Sequence, residues 1–243
     1  MGAEVIRIDP IGGGPDFGRW PVTKDSHSFY WEGLNKAKKS IAVDMRSAEG
    51  RDLVRALVTA PGDDGGLFIT NFPANGFLSH DSLTKLRQDL ITVRVMGTSD
   101  GRSAVDYTVN SAIGLPMMTG PGDLDDEPVN HVLPAWDLQT GCYAAFSVLV
   151  AERHRSATGQ GQEIRIPLAD VAISSIANIG QIAEVLYTGA DRERIGNDIY
   201  GAFGRDFLCA DGKRLMVVAI TERQWKGLIS VLSLAAEISA LEI

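Results

Sequence analysis

Apolar and polar positions change period several times along the chain, and each change falls at turn residues. "EVIRID" (4–9) reads as a short strand leading into the loop "PIGGGPD". "SIAVDM" (40–45) is a second strand-like run, after which Ser47 is placed to cap a helix with Leu53, Val54, Leu57 and Val58 on one face. "GLFITNF" (66–72) is β-rich and ends in polar Asn71 and the turn "PANG". Asp81 then opens a short helix, "DSLTKLRQDL", and "LITVRVMG" (90–97) is another strand. A long helix is expected over 138–155, closing on basic residues and Gly159 as helix C-termini do. "GQEIRIPL" is the next strand, and Asp170 is placed to cap one helix, "VAISSIANIGQIAEVL". This alternation predicts an α/β fold, a largely parallel sheet flanked by helices on both faces. Folds of this class place ligands at the carboxyl ends of their strands.

The pattern changes after residue 190. "DRERIGNDIYGAFGRD" (191–206) is polar and glycine-rich, and its residues 191–205 read as a linker. "FLCADGKRLMVVAI" holds two apolar runs around Asp211-Gly212, a hairpin signal. Thr221 and Gln224 form a capping box ahead of "ERQWKGLISVLSL". The expected organisation is a large α/β domain over 1–190 and the start of a smaller α+β domain over 206–243.

Composition narrows the class. A chain of 243 residues, 44% hydrophobic and 22% charged, is long enough to bury a proper core and is that of an ordinary soluble protein. No apolar run reaches the roughly 18 residues of a membrane span, and the first residues lack the pattern of a signal peptide. A net charge of −8 argues against a general nucleic-acid binder. Cys142 and Cys209 are read as buried free thiols in a reducing, cytoplasmic setting, and with four scattered histidines they make no metal spacing.

Several features could carry chemistry. The triple glycine of "IGGGPD" follows a strand, where phosphate-cradling loops occur, but it lacks the G-x-G-x-x-G spacing and Pro15 interrupts it. The same absence disfavours an NAD-binding reading. "NKAKKS" (35–40) gathers three lysines, either a solvated edge or a clamp for phosphates. His131 stands six residues before Asp137, yet Ser147 and Cys142 lie within an apolar helix rather than on a strand-to-helix elbow, so a nucleophile–histidine–aspartate set is a weak reading. Asp137 precedes the long helix, where aspartate is a preferred N-cap. It could also be a carboxylate nucleophile, steadied by the helix end while Gly141 leaves room for a substrate. On the residues alone the plain cap is the more economical reading.

The order of motifs changes that balance. "GAEVIRID", "LNKAKKSIAVDMRSAEGRDLVRALV", "FITNFPANGF", "VDYTVNSAIGLPMMTG", "PAWDLQTGCYAAFSVLVAERHRSATGQGQEIRIPLADVAI" and "DGKRLMVVAITERQW" resemble, in order and spacing, the family III CoA-transferases. That group also includes the alpha-methylacyl-CoA racemases. "GAEVIRIDPIGGG", "VDYTVN", "NHVLPAWD" and "YGAFGRDF" look like its mesaconyl-CoA branch, the 2-methylfumaryl-CoA isomerases, which move CoA between carbon-1 and carbon-4 of one dicarboxylate.

The resemblance implies a Rossmann-like large domain and assigns roles. Asp137 falls on the transferases' catalytic aspartate, which forms an acyl anhydride and then an aspartyl-CoA thioester. Asn71 and Phe72 match positions lining the CoA site, and Lys36 and Lys39 fall in the family's basic stretch near it. Coenzyme A would be a moiety of the substrate, with no separate cofactor and no metal. Partners would be an acyl-CoA and a second subunit in an interlocked homodimer, not nucleic acid or a membrane. The racemases' histidine falls on Val105, which counts against racemisation. Family members begin a strand–helix unit earlier and continue past residue 243, and an arginine that binds CoA in some relatives is replaced by Pro10. The resemblance therefore implies an internal piece of a longer enzyme. An intermolecular transferase for another acyl group, or a silent CoA-binding remnant, are the alternatives.

Overall fold

The computed structural model describes residues 2–240; Met1 and residues 241–243, the outer ends of the two expected domains, lie outside the described residues. The strands are β1 (Ile6–Asp9), β2 (Lys39–Ala42), β3 (Leu67–Thr70), β4 (Ile91–Met96), β5 (Gln162–Pro167), β6 (Phe203–Leu208) and β7 (Arg214–Ala219). The helices are α1 (Phe29–Leu34), α2 (Ala48–Val58), α3 (His80–Leu83), α4 (Asp106–Ala112), α5 (Leu115–Met118), α6 (Ala135–Thr158), α7 (Leu168–Asn178), α8 (Gln181–Thr188), α9 (Glu222–Val231) and α10 (Ala235–Ser239). The architecture is α/β, with parallel sheets flanked by helices. The chain forms two compact units, Met1–Val95 with Tyr143–Arg165, and Met96–Cys142 with Ile166–Ile243.

In the first unit β1 runs parallel to β2, with Ile6 opposite Lys39. The triple glycine after β1 builds a turn rather than the start of a helix. Gly12 and Gly13 have φ of +93° and +90°, and the Gly13 N–H donates to the Pro10 carbonyl at 2.9 Å. A Cβ on Gly13 would lie 2.7 Å from the Phe17 ring, so glycine is needed there to fold Phe17 back, edge-on to Trp31. Ser47 caps α2 as expected, its Oγ accepting the Gly50 N–H at 2.9 Å. Val54 and Val58 are buried, but Leu53 is 49% exposed, because its place next to Val54 turns it about 100° away from the core face.

The second sheet of this unit has the order β3-β4-β5, with β3 parallel to β4. The central strand β4 is buried over Ile91, Thr92, Val93 and Arg94, as a strand covered on both faces must be. Helix α3 is shorter than the pattern suggested and begins at His80. Its cap is Ser79, whose Oγ accepts the Ser82 N–H at 3.2 Å, so Asp81 sits in the first turn rather than opening it. Val43, Val54, Val58, Leu78, Leu83 and Leu90 form the core, with Ile8, Ile41 and Phe68 against it. Helix α6 runs beyond 138–155 at both ends and stops at Gly159, whose φ is +73° and whose N–H bonds to the Arg155 carbonyl. Arg155 is itself buried and donates to the carbonyls of Gly65 at 2.8 Å and Asp63 at 3.2 Å.

The second unit is built on Val109, Trp136, Leu168, Ala172 and Ile176. The single helix expected after Asp170 is two. Gly180, at φ +85°, ends α7 and starts α8, while Asp170 lies inside the first turn of α7 behind Pro167 and does not cap it. There its charge complements the helix dipole. Strands β6 and β7 form the expected antiparallel hairpin around Asp211-Gly212, beginning at Phe203 within the stretch read as linker. The Thr221 capping box is complete: its Oγ1 accepts the Gln224 N–H, and Gln224 Oε1 accepts the Thr221 N–H. Among the described residues no helix is long and apolar enough to cross a membrane.

Candidate active site

The N-terminus of α6 is held by side chains of α4. Asp106 and Asn110 stand four residues apart, on one face of that helix. Trp136 is buried in the core of the second unit, and its indole Nε1–H donates to Asn110 Oδ1 at 3.2 Å. This anchors the first turn of α6, and Asp137, the next residue, is exposed beside it. Asp106 Oδ2 accepts the backbone N–H groups of Trp136 at 2.7 Å and Asp137 at 3.1 Å.

Asp137 is therefore not the N-cap of α6. The helix begins two residues earlier, at Ala135, and Asp106 from another helix satisfies its leading N–H groups. Asp137 keeps the electrostatic benefit of a first-turn position, where the helix end favours an anion. One turn on, a Cβ at Gly141 would meet nothing within 4 Å, so the helix surface beside Asp137 is open.

His131 does not serve a nucleophile in α6. Its Nε2–H donates to Asp106 Oδ1 at 2.6 Å, and its ring meets Tyr107 edge-on at 5.5 Å and lies 6.2 Å from Trp136. Asn130 joins the set, accepting from Asn110 Nδ2 at 2.9 Å and from the His131 N–H at 3.0 Å. Val105, where the racemases carry histidine, is an exposed aliphatic residue just ahead of α4. Cys142 and Cys209 are unpaired, but neither is buried: Cys142 is on an exposed face of α6 and Cys209 is half-exposed beyond β6.

In the first unit Asn71 and Phe72 lie together in the exposed loop at the carboxyl end of β3. That loop is tied down from below by Arg94 on β4, whose side chain is 1% exposed. Its guanidinium donates to the carbonyls of Phe72, Pro73 at 3.0 Å and Leu78 at 3.3 Å, and pairs with Glu163 at 3.1 Å. Burial pushes the Glu163 carboxyl up, but hydrogen bonds from Arg165 and Arg94 outweigh it and hold it below the usual range.

Lys36 lies in the segment leading into β2, and Lys39 is the first residue of that strand. Lys36 is exposed, and Lys39 pairs with Glu4 at 2.6 Å across the β1–β2 edge. Between them Lys38 donates to the Leu34 carbonyl and Asn35 Oδ1; burial and nearby Arg7 lower its pKa. Among the described residues no group of three His, Cys, Asp or Glu side chains converges as a metal site.

Two of these organising residues escaped the sequence reading, Asp106 and Arg94. The i, i+4 spacing of Asp106 and Asn110 in "VDYTVN" was a visible signal, two polar side chains aligned on one helical face. Arg94 gave none beyond being a lone charge in an apolar strand.

Comparison with known proteins agrees with the motifs. The family model described as CoA-transferase family III matches residues 1–241. The chain is 55% identical over 242 residues to a 2-methylfumaryl-CoA isomerase of Chloroflexus aurantiacus, covering 99% of this chain and 59% of that protein. It is 31% identical over 208 residues to a succinyl-CoA–D-citramalate CoA-transferase of the same organism, covering 81% of this chain and 50% of that one. Among solved structures, a CaiB/BaiF family protein from Brucella suis superposes with a TM-score of 0.78 at 27% identity, over 96% of this chain and 63% of that one. A hypothetical protein from Mycobacterium tuberculosis shares the fold at a TM-score of 0.74 and 22% identity, over 96% of this chain and 61% of that one. The chain thus spans between half and just under two thirds of the length of these relatives, and it belongs to the family III CoA-transferases.

Proposed function

We propose that the protein acts in CoA transfer between carboxylates, as a 2-methylfumaryl-CoA isomerase, with Asp137 as the acyl-accepting group. The observation that carries this reading is the 55% identity to such an isomerase along 99% of the chain. The site geometry supports it: an exposed carboxylate in the first turn of a long helix, fixed by the buried Trp136 and beside an open glycine.

The chemistry balances without an added reagent. The Asp137 carboxylate attacks the thioester carbonyl, forming a mixed anhydride and expelling the CoA thiolate. The thiolate attacks the aspartyl carbonyl, giving an aspartyl-CoA thioester and a free substrate carboxylate. The substrate's other carboxylate attacks that thioester, forming a second anhydride and again releasing thiolate. Attack of the thiolate on the substrate carbonyl yields the isomeric thioester and restores Asp137. Coenzyme A enters as part of the substrate, so no step calls for a further cofactor. The anhydride must be kept from water, since hydrolysis would waste the thioester. In this reading Asn71 and Phe72 line the CoA site, Lys36 and Lys39 lie near its phosphates, and the protein works as a homodimer in the cytoplasm.

Incubating the protein with mesaconyl-CoA and measuring intact mass tests the reading. A hydroxylamine-sensitive adduct, absent in Asp137→Asn, is expected together with the isomeric product by chromatography. Product formed only when a second carboxylic acid is added would replace isomerisation by intermolecular transfer. No adduct and no product would reject the proposal.

A further inference from the structure

We propose that the Asp106–His131 pair is a positioning device for Asp137, an inference that rests on the acyl-transfer reading above. Asp106 is 2% exposed, and a carboxylate so buried must be matched by donors. Its two oxygens divide the work. Oδ2 takes the N–H groups of Trp136 and Asp137, fixing the backbone from which the Asp137 side chain departs. Oδ1 takes the His131 Nε2–H at 2.6 Å, the shortest contact of the set.

That second bond matters because Asp106 brings another negative charge to the helix end that already carries Asp137. Like charges at one helix terminus repel, and the helix dipole is shared between them. The imidazole donor draws charge toward the Oδ1 side, away from Asp137, and locks the rotamer that presents Oδ2 to the backbone. His131 is held for this by its own neighbours. Tyr107 packs edge-on to the ring, and Asn130 Oδ1 accepts the His131 backbone N–H. His131 thus acts through Asp106, one link removed from the reacting carboxylate.

The pair can be separated from mere support of the fold. Replacing His131 by alanine removes the donor to Oδ1 and leaves the Asp106 carboxylate held through Oδ2 alone. The expected result is a fall of about tenfold in kcat and in the single-turnover rate of adduct formation on Asp137, with KM for mesaconyl-CoA within about twofold of the parent, as for a misplaced reacting group. His131→Gln retains an amide N–H that can reach Asp106, so it recovers most of the lost rate. Asp106→Asn, which cannot accept from the helix and from His131 in the same way, loses at least as much as His131→Ala. Should His131→Ala not fold, His131→Asn, too short to reach Asp106, is read by the same criteria.

Parent-like kcat in the donor-less variant, or equal losses in the alanine and glutamine variants, would overturn the proposal. A rise in KM with kcat unchanged would overturn it too, assigning His131 to substrate binding. If the parent protein itself forms no Asp137 adduct, the acyl-transfer reading fails first and this one falls with it. That outcome is distinguishable because it appears before any His131 variant is made.

Discussion

Arg94 in the first unit and Asp106 in the second are both almost fully buried, yet they gather opposite partners. Arg94 collects acceptors: the carbonyls of Phe72, Pro73 and Leu78, and the carboxylate of Glu163. Asp106 collects donors: two backbone N–H groups at a helix start, and the imidazole of His131. In each case one charge inside a core organises backbone whose own polar groups no strand or helix would satisfy. The loop tied by Arg94 carries Asn71 and Phe72, and the helix start tied by Asp106 carries Asp137. The difference lies in what each charge rests on. Arg94 has a carboxylate counter-charge in Glu163, which it shares with Arg165, whereas Asp106 is met by two backbone N–H groups and an imidazole N–H.

The largest effect is expected where a buried ion pair is broken. Arg94→Met leaves three carbonyls without their donor and Glu163 with Arg165 as its remaining arginine partner, and denaturant unfolding should show a loss of about 3–5 kcal/mol. Arg94→Lys keeps the charge but not the fork of donors and should fall between that variant and the parent. A loss below about 1 kcal/mol in Arg94→Met would show that the loop holds itself, and the parallel with Asp106 would fail.

Removing the anionic partner of the second unit should cost less. Asp106→Ala leaves two helix N–H groups and His131 unsatisfied, about 1–3 kcal/mol by the same measurement. A loss in Asp106→Ala as large as that in Arg94→Met would erase the distinction drawn between a charge with a counter-charge and one without.

Acid should weaken the first unit through Glu163. Glu163 titrates below an ordinary carboxyl, so its contribution is complete above the unfolded-state value and disappears as pH falls through the lower folded value. The parent should therefore lose melting temperature below about pH 4, and Glu163→Gln should lose less over that window. Identical slopes would remove Glu163 from the account.

The smallest stability effect has the opposite sign. Gly141→Ala places a methyl in open space on α6 and should stabilise by about 0.5–1 kcal/mol, while slowing turnover if a substrate approaches Asp137 there. A stabilised variant with parent turnover would place the substrate elsewhere.

What the sequence made legible follows from which forces leave a periodic trace. Ser47 before α2, the Thr221–Gln224 box, Gly159 at the end of α6 and the Asp211-Gly212 hairpin are local devices, readable from neighbouring residues. The break at Gly180 was missed because apolar spacing continued on both sides, and only a left-handed backbone at the glycine divides α7 from α8. Asp137 was singled out by motif order, but its setting was not legible there. The residue that caps its helix lies about thirty positions earlier in the chain, and a long-range hydrogen bond has no periodicity to betray it. Leu53 shows the converse, an apolar residue read with the core face whose place on the helix turns it toward water.

The central claim is that Asp137 exchanges oxygen with the substrate while carrying the acyl group and then CoA. Mesaconyl-CoA labelled with heavy oxygen in its free carboxylate, turned over in ordinary water, tests it directly by mass spectrometry of the peptide containing Asp137. The second anhydride passes a substrate oxygen to the aspartate when thiolate attacks the substrate carbonyl, so the label should appear on Asp137 in step with product. Isomeric product formed with no label on that peptide would contradict the account.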